Sequence, residues 1–193
     1  MKKLLPKHAL CVPDTAKKVF TGEIYDTYQW PQEMFDGTIA TFEMLKRADT
    51  VVVYAVTADE EIIVLEEKQP NSGVYLTLPS GRVEDGEDIS VAAKRELLEE
   101  TGIEFAEIKL IGIEQPHPKI EHFVYIFAAS SPSSVRAQNL DAGEQIQVKK
   151  LAFEEYLSYV KSGKVPLDVF TLRQLAIKPA LKLSDILNLQ EYK

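Results

Sequence analysis

The chain has 193 residues, 45% apolar and 27% charged, with a net charge of −8 from 22 basic and 30 acidic side chains. This composition suits one domain of ordinary size with a real core, and it excludes collagen, disordered polyampholytes and small disulfide scaffolds. The single cysteine, Cys11, leaves no internal disulfide and no thiolate cluster for zinc, and the acidic balance gives no general attraction to nucleic acid or anionic lipid.

The first residues, MKKLLPKHALCV, carry a short apolar run that Pro6, Lys7 and His8 interrupt, with no small-residue cleavage site after it. No stretch approaches the ~18 apolar residues of a membrane span, so a soluble, cytoplasmic protein is expected. Lys18 to Trp30 reads as a strand rich in β-branched and aromatic residues, ended by Pro31. Asp36-Gly37 is a turn, and Thr38 to Leu45 alternates with Ile39, Thr41, Glu43 and Leu45 on one side. Thr50 to Val56 reads as a buried strand, and Asp59-Glu60 turns it into a hairpin partner, Glu61 to Leu65.

Val74 to Leu78 is a short strand closed by Pro79. The strongest helix signal spans Ile89 to Thr101, with Asp88 as N-cap and Gly102 as stop. Ile108 to Ile113 and Phe123 to Ala129 read as strands, and Ser130 to Ser134 as a loop between strands. Gln145 to Leu151 is a strand, while Phe153 to Lys161 and Leu167 to Ala176 are helices. The Leu181–Leu189 stretch suggests a short helix packing on the core. This order predicts an α+β fold, a mixed sheet flanked by helices with a strand-rich N-terminal segment.

Glu96, Glu99 and Glu100 fall at i, i+3 and i+4 on one face of the Ile89–Thr101 helix, while Leu97 and Leu98 point elsewhere. A solvated acidic face is the bland explanation. Arg95, four residues before Glu99, is placed to hold that carboxylate, and a glycine-containing acidic loop precedes the helix. Carboxylates gathered with a backbone carbonyl form the hard-oxygen site that Mg²⁺ or Mn²⁺ prefers. Such a cation would also let an acidic protein bind a polyanion.

Gly81, Glu87, Arg95, Glu96, Leu97, Glu99, Glu100, Gly102 and Ile103 fill every position of a segment that resembles the Nudix box. The resemblance implies an α/β/α sandwich and an enzyme that cleaves a pyrophosphate linked to another moiety, using Mg²⁺ or Mn²⁺ and water. By position it makes Glu96, Glu99, Glu100 and the backbone carbonyl of Ser80 metal ligands, and Glu87 and Arg95 orienting partners. Within that family the chain resembles ADP-ribose pyrophosphatases. The likeness lies in the N-terminal segment of residues 1–48, which in those enzymes builds a dimer ahead of a hydrolase domain, here 49–193. It extends to Pro118 and to the stretch from Glu144 through Thr171-Leu172.

The subfamily's acidic loop is reduced here to Asp141-Ala142-Gly143-Glu144, making Glu144 the candidate catalytic carboxylate beside Glu96, with Asp141 in reserve. Glu66-Glu67-Lys68-Gln69 stands where those enzymes often carry Glu-Gln-aromatic-Arg, so the phosphate-gripping arginine is absent and Lys68 lacks its bidentate geometry. The implied reaction is hydrolysis of a nucleoside diphosphate linked to a sugar, ADP-ribose first, in a homodimer. Another nucleotide sugar, a nucleoside triphosphate, and an ADP-ribose sensor without turnover are the alternatives. His117 and His122 read mainly as hydrated loop histidines, Trp30 and Phe35 as packing or dimer contacts, and Cys11 as part of a frayed tail without a group to orient it.

Overall fold

The computed structural model describes residues 3–70, 72–165 and 168–192. In chain order its elements are β1 (Lys17–Thr21), β2 (Asp26–Glu33), β3 (Ile39–Lys46), β4 (Thr50–Ala55), β5 (Ile62–Lys68), β6 (Tyr75–Thr77) and β7 (Ser80–Arg82). There follow α1 (Ile89–Thr101), β8 (Ile103–Glu114), β9 (Ile120–Glu121), β10 (Val124–Val135), β11 (Gln145–Leu151), α2 (Phe153–Lys161), α3 (Val169–Ile177) and α4 (Leu183–Leu187). They fall into two compact units, Met1–Thr50 with Ile113–Val124, and Val51–Gly112 with Tyr125–Lys193.

The first unit is a sheet in the order β1-β2-β3-β9, in which β9 joins β3 in parallel. The single strand expected from Lys18 to Trp30 is two, β1 and β2, separated by a turn at residues 22–25. Pro31 does not end the second. It sits inside β2 opposite Thr41, while β1 pairs with β2 only as far as Gln29. The alternation set by the Met34 N–H to Thr38 carbonyl bond turns the N–H that proline lacks toward that open side, so no ladder bond is lost. The β2–β3 turn uses Gly37 at φ +82°, with the Asp36 carboxylate accepting from both the Thr38 amide and hydroxyl. Ile39, Thr41 and Glu43 share the exposed side of β3, and Ala40, Phe42 and Met44 the more covered one.

The N-terminal tail is docked rather than frayed. The Gln115 side chain accepts from the Leu10 amide and donates to the Leu10 carbonyl, both at 2.8 Å. The Glu121 carboxylate accepts from the Val12 amide at 2.6 Å. Cys11 lies between those anchors as a free, exposed thiol that partial burial and then Glu121 push above its ordinary pKa.

The second unit holds two sheets, β7-β4-β10-β8 and β11-β5-β6. Ile62, Ile63, Val64 and Leu65 of β5 are all fully buried, so this strand is covered on both faces. The expected β4–β5 hairpin is therefore absent: the two strands belong to different sheets and meet only at a Val56–Ile62 bridge. A second departure is the serine-rich patch, which continues β10 beside β8. The Ser130 hydroxyl donates to Glu107 and that of Ser134 to Glu104, so polar side chains that signal a loop instead pair along the strands.

The helices follow their end signals. Asp88 accepts from the Ser90 amide, and Gly102, at φ +71°, returns its N–H to the Leu98 carbonyl. Ala92, Ala93 and Leu97 are the buried face of α1. A side chain at Gly102 would also put its Cβ 2.3 Å from the Arg136 carbonyl oxygen. The α3 helix begins at Val169; Leu167, its expected first residue, lies outside the described residues. The short C-terminal helix is α4, with Ile186 and Leu181 buried.

One polar knot secures the helical end of this unit. The Asp168 carboxylate accepts from the Tyr54 hydroxyl at 2.7 Å, from the Tyr156 hydroxyl, and from the Thr171 amide at 3.0 Å, where it caps α3. Tyr54, Tyr156 and Thr171 are fully buried. An Asp168→Ala chain strands the Tyr156 hydroxyl, leaves that of Tyr54 only Thr171 as a partner at 2.8 Å and removes the α3 cap, so it should be destabilised by about 2–4 kcal/mol. Urea unfolding followed by circular dichroism reads this directly, and a midpoint equal to that of the parent chain would refute it.

Candidate active site

A turn, a strand end and a helix converge on Arg95. Gly86, at φ +79°, closes a turn in which the Glu87 amide bonds the Glu84 carbonyl and the Glu84 amide bonds the Glu87 carboxylate. That turn presents Glu87 to the guanidinium fork, whose Nε and Nη2 each donate to one carboxylate oxygen at 2.9 Å. Nη2 also donates to the Arg82 carbonyl at 2.9 Å, tying α1 to β7. Nη1 bridges Glu96 at 2.8 Å and Glu99 at 3.1 Å. Glu87 is held below the usual carboxylate range by Arg95, and Arg95 is in turn pushed upward, first by Glu87.

On the same turn of α1, Glu100 is only 4% exposed and accepts from the Ser80 amide of β7 at 2.8 Å. Burial pushes its carboxyl up to about 9; the Ser80 bond opposes this, and the charges of Glu96, Glu144 and Glu67 add to it. Glu96 is raised by burial as well, against the pull of Arg95. The next residue of β7, Gly81, has a conformational role set by space: a Cβ there would lie 2.0 Å from the Glu96 carboxyl carbon. The backbone of residues 80 and 81 therefore lies directly against the side chains of Glu96 and Glu100.

Glu144 lies just before β11, in a turn where its amide bonds the Asp141 carbonyl at 2.9 Å and its carboxylate faces the Asp141 amide at 3.3 Å. Burial raises it, and the charges of Asp141, Glu67 and Glu99 act in the same direction. The segment ahead of this turn is fastened to the end of α1. The Asn139 amide bonds the Glu99 carbonyl at 2.9 Å, and the Gln138 side chain donates to the Glu100 carbonyl. Residues 96, 99, 100 and 144 thus belong to one electrostatic neighbourhood.

Glu67 is the residue that sequence reasoning missed. It is 6% exposed at the end of β5, where it accepts from the Gln69 side-chain amide at 2.6 Å and from the Tyr75 hydroxyl. Its cross-strand partners are Tyr75 on β6 and Ile146 on β11. Parity gave no signal, because Ile62, Ile63, Val64 and Leu65 are all fully buried and β5 has no single inward side for Glu67 to continue. The His117 ring, by contrast, accepts from the Lys119 amide, and half-buried His122 engages the Ala48 carbonyl; both belong to the other unit. Trp30 and Phe35 are there too, Trp30 packed against Phe42 and Phe35 projecting fully exposed at the hairpin tip.

The donor set suits a hard divalent cation: crowded carboxylates, one of them deeply buried, set against a backbone stripped of its side chain at Gly81. Among the described residues no three acidic or histidine side chains already converge at ligand spacing, since Glu96 and Glu99 are turned to Arg95.

Comparison with known proteins agrees with this chemistry. The model of the NUDIX domain matches residues 46–169. The chain is 28% identical over 171 residues to the ADP-ribose pyrophosphatase of Bacillus subtilis (strain 168), covering 86% of this chain and 92% of that protein. It is 27% identical over 171 residues to the methanol dehydrogenase activator of Bacillus methanolicus, with the same coverage of 86% and 92%. A crystal structure of an ADP compounds hydrolase superimposes with a TM-score of 0.65 over 90% of this chain and 99% of that one, at 14% identity, and so shares the fold. Hydrolases of this family generally use divalent metals, and the chain belongs to it: it is a Nudix pyrophosphohydrolase.

Proposed function

We propose that this enzyme hydrolyses the pyrophosphate of a nucleoside diphosphate linked to a sugar, and that ADP-ribose, giving AMP and ribose 5-phosphate, is its substrate. The observation that carries this reading is the carboxylate neighbourhood of Glu96, Glu99, Glu100 and Glu144 in a chain 28% identical to an ADP-ribose pyrophosphatase along most of its length. Glu96, Glu99, Glu100 and the carbonyl of Ser80 hold Mg²⁺ or Mn²⁺. When bound, the cation neutralises the diphosphate and lowers the pKa of a water molecule.

The chain's own groups do the rest. Arg95 and Glu87 orient Glu96 and Glu99 through the fork described above. Glu144, whose pKa burial raises, is the general base that takes the proton from the attacking water, with Glu96 the other candidate for that role and Asp141 in reserve. Oxygen attacks one phosphorus, the bridging P–O bond breaks, and the second phosphate leaves with its electron pair. Gln69, folded back onto Glu67, stands where ADP-ribose pyrophosphatases often carry an arginine, so this edge departs from theirs and the substrate panel below decides its specificity.

Residues 1–48 form a dimerisation segment on this reading, and residues 49–193 the hydrolase domain. Support comes from exposed apolar side chains on the first unit, Val19, Phe20, Ile24, Phe35 and Ile39. A cytoplasmic location is part of the proposal: a single cysteine accords with a reducing compartment, and no helix among the described residues is long and apolar enough to cross a membrane. Light scattering at micromolar concentration should return twice the chain mass; a monomer refutes the dimer.

A panel of ADP-ribose, other nucleotide sugars, dinucleotides and nucleoside triphosphates, assayed with Mg²⁺ or Mn²⁺ and resolved by chromatography, should give AMP from ADP-ribose above all else. A different preferred substrate overturns the specificity, and binding of ADP-ribose without any product points to a sensor. Glu100→Gln and Glu144→Gln should each lower turnover by at least about a hundredfold while the fold persists. Near-parent rates for Glu100→Gln remove it from the ligand set, and a heavier loss in Glu96→Gln than in Glu144→Gln moves the base to the helix.

Gly81→Ala drives its methyl into the Glu96 carboxylate, which can swing away because it is the far end of a flexible side chain. We expect a folded protein with turnover reduced about tenfold or more, read by steady-state kinetics beside circular dichroism. Full activity would show that the position of Glu96 is not critical.

A further inference from the structure

Glu67 carries an anion where a neutral group would meet the same hydrogen-bonding demand. Its two partners, the Gln69 amide at 2.6 Å and the Tyr75 hydroxyl, are uncharged donors, which a glutamine oxygen would accept equally well. Among the described residues no lysine, arginine or histidine lies within ion-pair distance of it; the nearby Lys149 is paired with Glu66 instead. At 6% exposure, solvent supplies little compensation. A buried charge held only by neutral partners destabilises a fold, so the chain tolerates an expense here that one amide substitution would remove.

The surroundings add to that penalty. Glu67 pairs across the sheet with Ile146, two residues past Glu144, so both glutamates belong to the same end of the β5–β11 ladder. Glu100 and Glu144 each feel its charge, and so does Tyr75. Gly143, next to Glu144, lies against the Pro70 ring of the β5–β6 loop, which Glu67 fastens at both ends through Gln69 and Tyr75. The one state in which the Glu67 charge turns favourable is the state with a cation among these carboxylates.

We propose that Glu67 is a positioning residue for the divalent cation, acting through its negative charge on the site that Glu96, Glu99 and Glu100 form. The inference rests on the metal-binding reading of those three residues. It exchanges stability of the metal-free protein for affinity toward the ion.

The test compares the parent chain with Glu67→Gln, Tyr75→Phe and Glu100→Gln, using Mn²⁺ titration by the electron paramagnetic resonance of the free ion and thermal unfolding without metal. Glu67→Gln should melt no lower than the parent chain and bind Mn²⁺ about three- to tenfold more weakly. Its KM for substrate should stay within about twofold at saturating Mn²⁺. Tyr75→Phe removes a hydrogen bond and keeps the charge, so its Mn²⁺ affinity should match the parent. Unchanged Mn²⁺ affinity in Glu67→Gln overturns the proposal. So does a Tyr75→Phe chain that loses as much affinity, because packing would then account for the effect, and so does a Glu67→Gln chain that fails to fold. Parent affinity in Glu100→Gln identifies a different failure, that of the metal-site reading itself.

Discussion

The site depends on holding like charges together where water cannot separate them. Glu100 is nearly inaccessible, Glu96 is tucked against a glycine backbone, and Glu67 and Glu144 close in from β5 and the start of β11. Carboxylates brought this close repel, and burial sharpens the repulsion. Local structure supplies the restraint: one arginine answers three of the glutamates of the loop and helix, and the Ser80 amide answers a fourth. Arg95 can do so only because Gly86 turns Glu87 toward it and because β7 brings the Arg82 carbonyl to the other side of its fork.

The same restraint explains which residue types stand where. A larger residue at position 81 would separate β7 from Glu96, and one at position 102 would collide with the carbonyl of Arg136, whose amide donates to the Gly102 carbonyl. These two glycines bracket the acidic turn. The segment after position 136 then covers the last helical carbonyls, through Asn139 and Gln138, and delivers Glu144 to the same end of the helix. Capping of α1 and placement of the last carboxylate are one structural event, since the loop that satisfies orphan carbonyls also carries the acid.

Legibility in the sequence followed the range of the interaction involved. The helix was readable to the residue, because Asp88, the apolar Ala92, Ala93 and Leu97, and Gly102 are local signals that tertiary context did not override. The spacing of Glu96, Glu99 and Glu100 and the reach of Arg95 to Glu99 were readable for the same reason. Pro31 inside β2 was not, because whether a missing N–H matters depends on how far β1 extends beside it. Nor was the separation of β4 from β5, whose short connection imitates a hairpin while the buried run Ile62 to Leu65 belongs to another sheet. Glu67 is the functional counterpart of those cases. The polar run Glu66 to Gln69 carries no local signal of burial, and it is the pairing of β5 with both β6 and β11 that covers Glu67.

Charge accounting connects the site to the whole molecule. The chain carries −8 overall; near the site Arg95 is engaged by three glutamates and Lys149 by Glu66, while no ion pair of Lys68 or Arg82 is seen among the described residues. On the proposed function, a diphosphate approaching the carboxylates of α1 meets local negative charge, and cations taken up with it or before it would offset that repulsion. Conditional binding has a useful consequence. A protein with a standing basic pocket would hold phosphates and nucleotides of every kind, whereas carboxylates that need an ion admit only ligands able to share that ion. On the proposed reading the acidity around α1 is part of the selectivity of the site, and Glu67, which deepens the local negative charge, would belong to the same device as Glu96, Glu99 and Glu100.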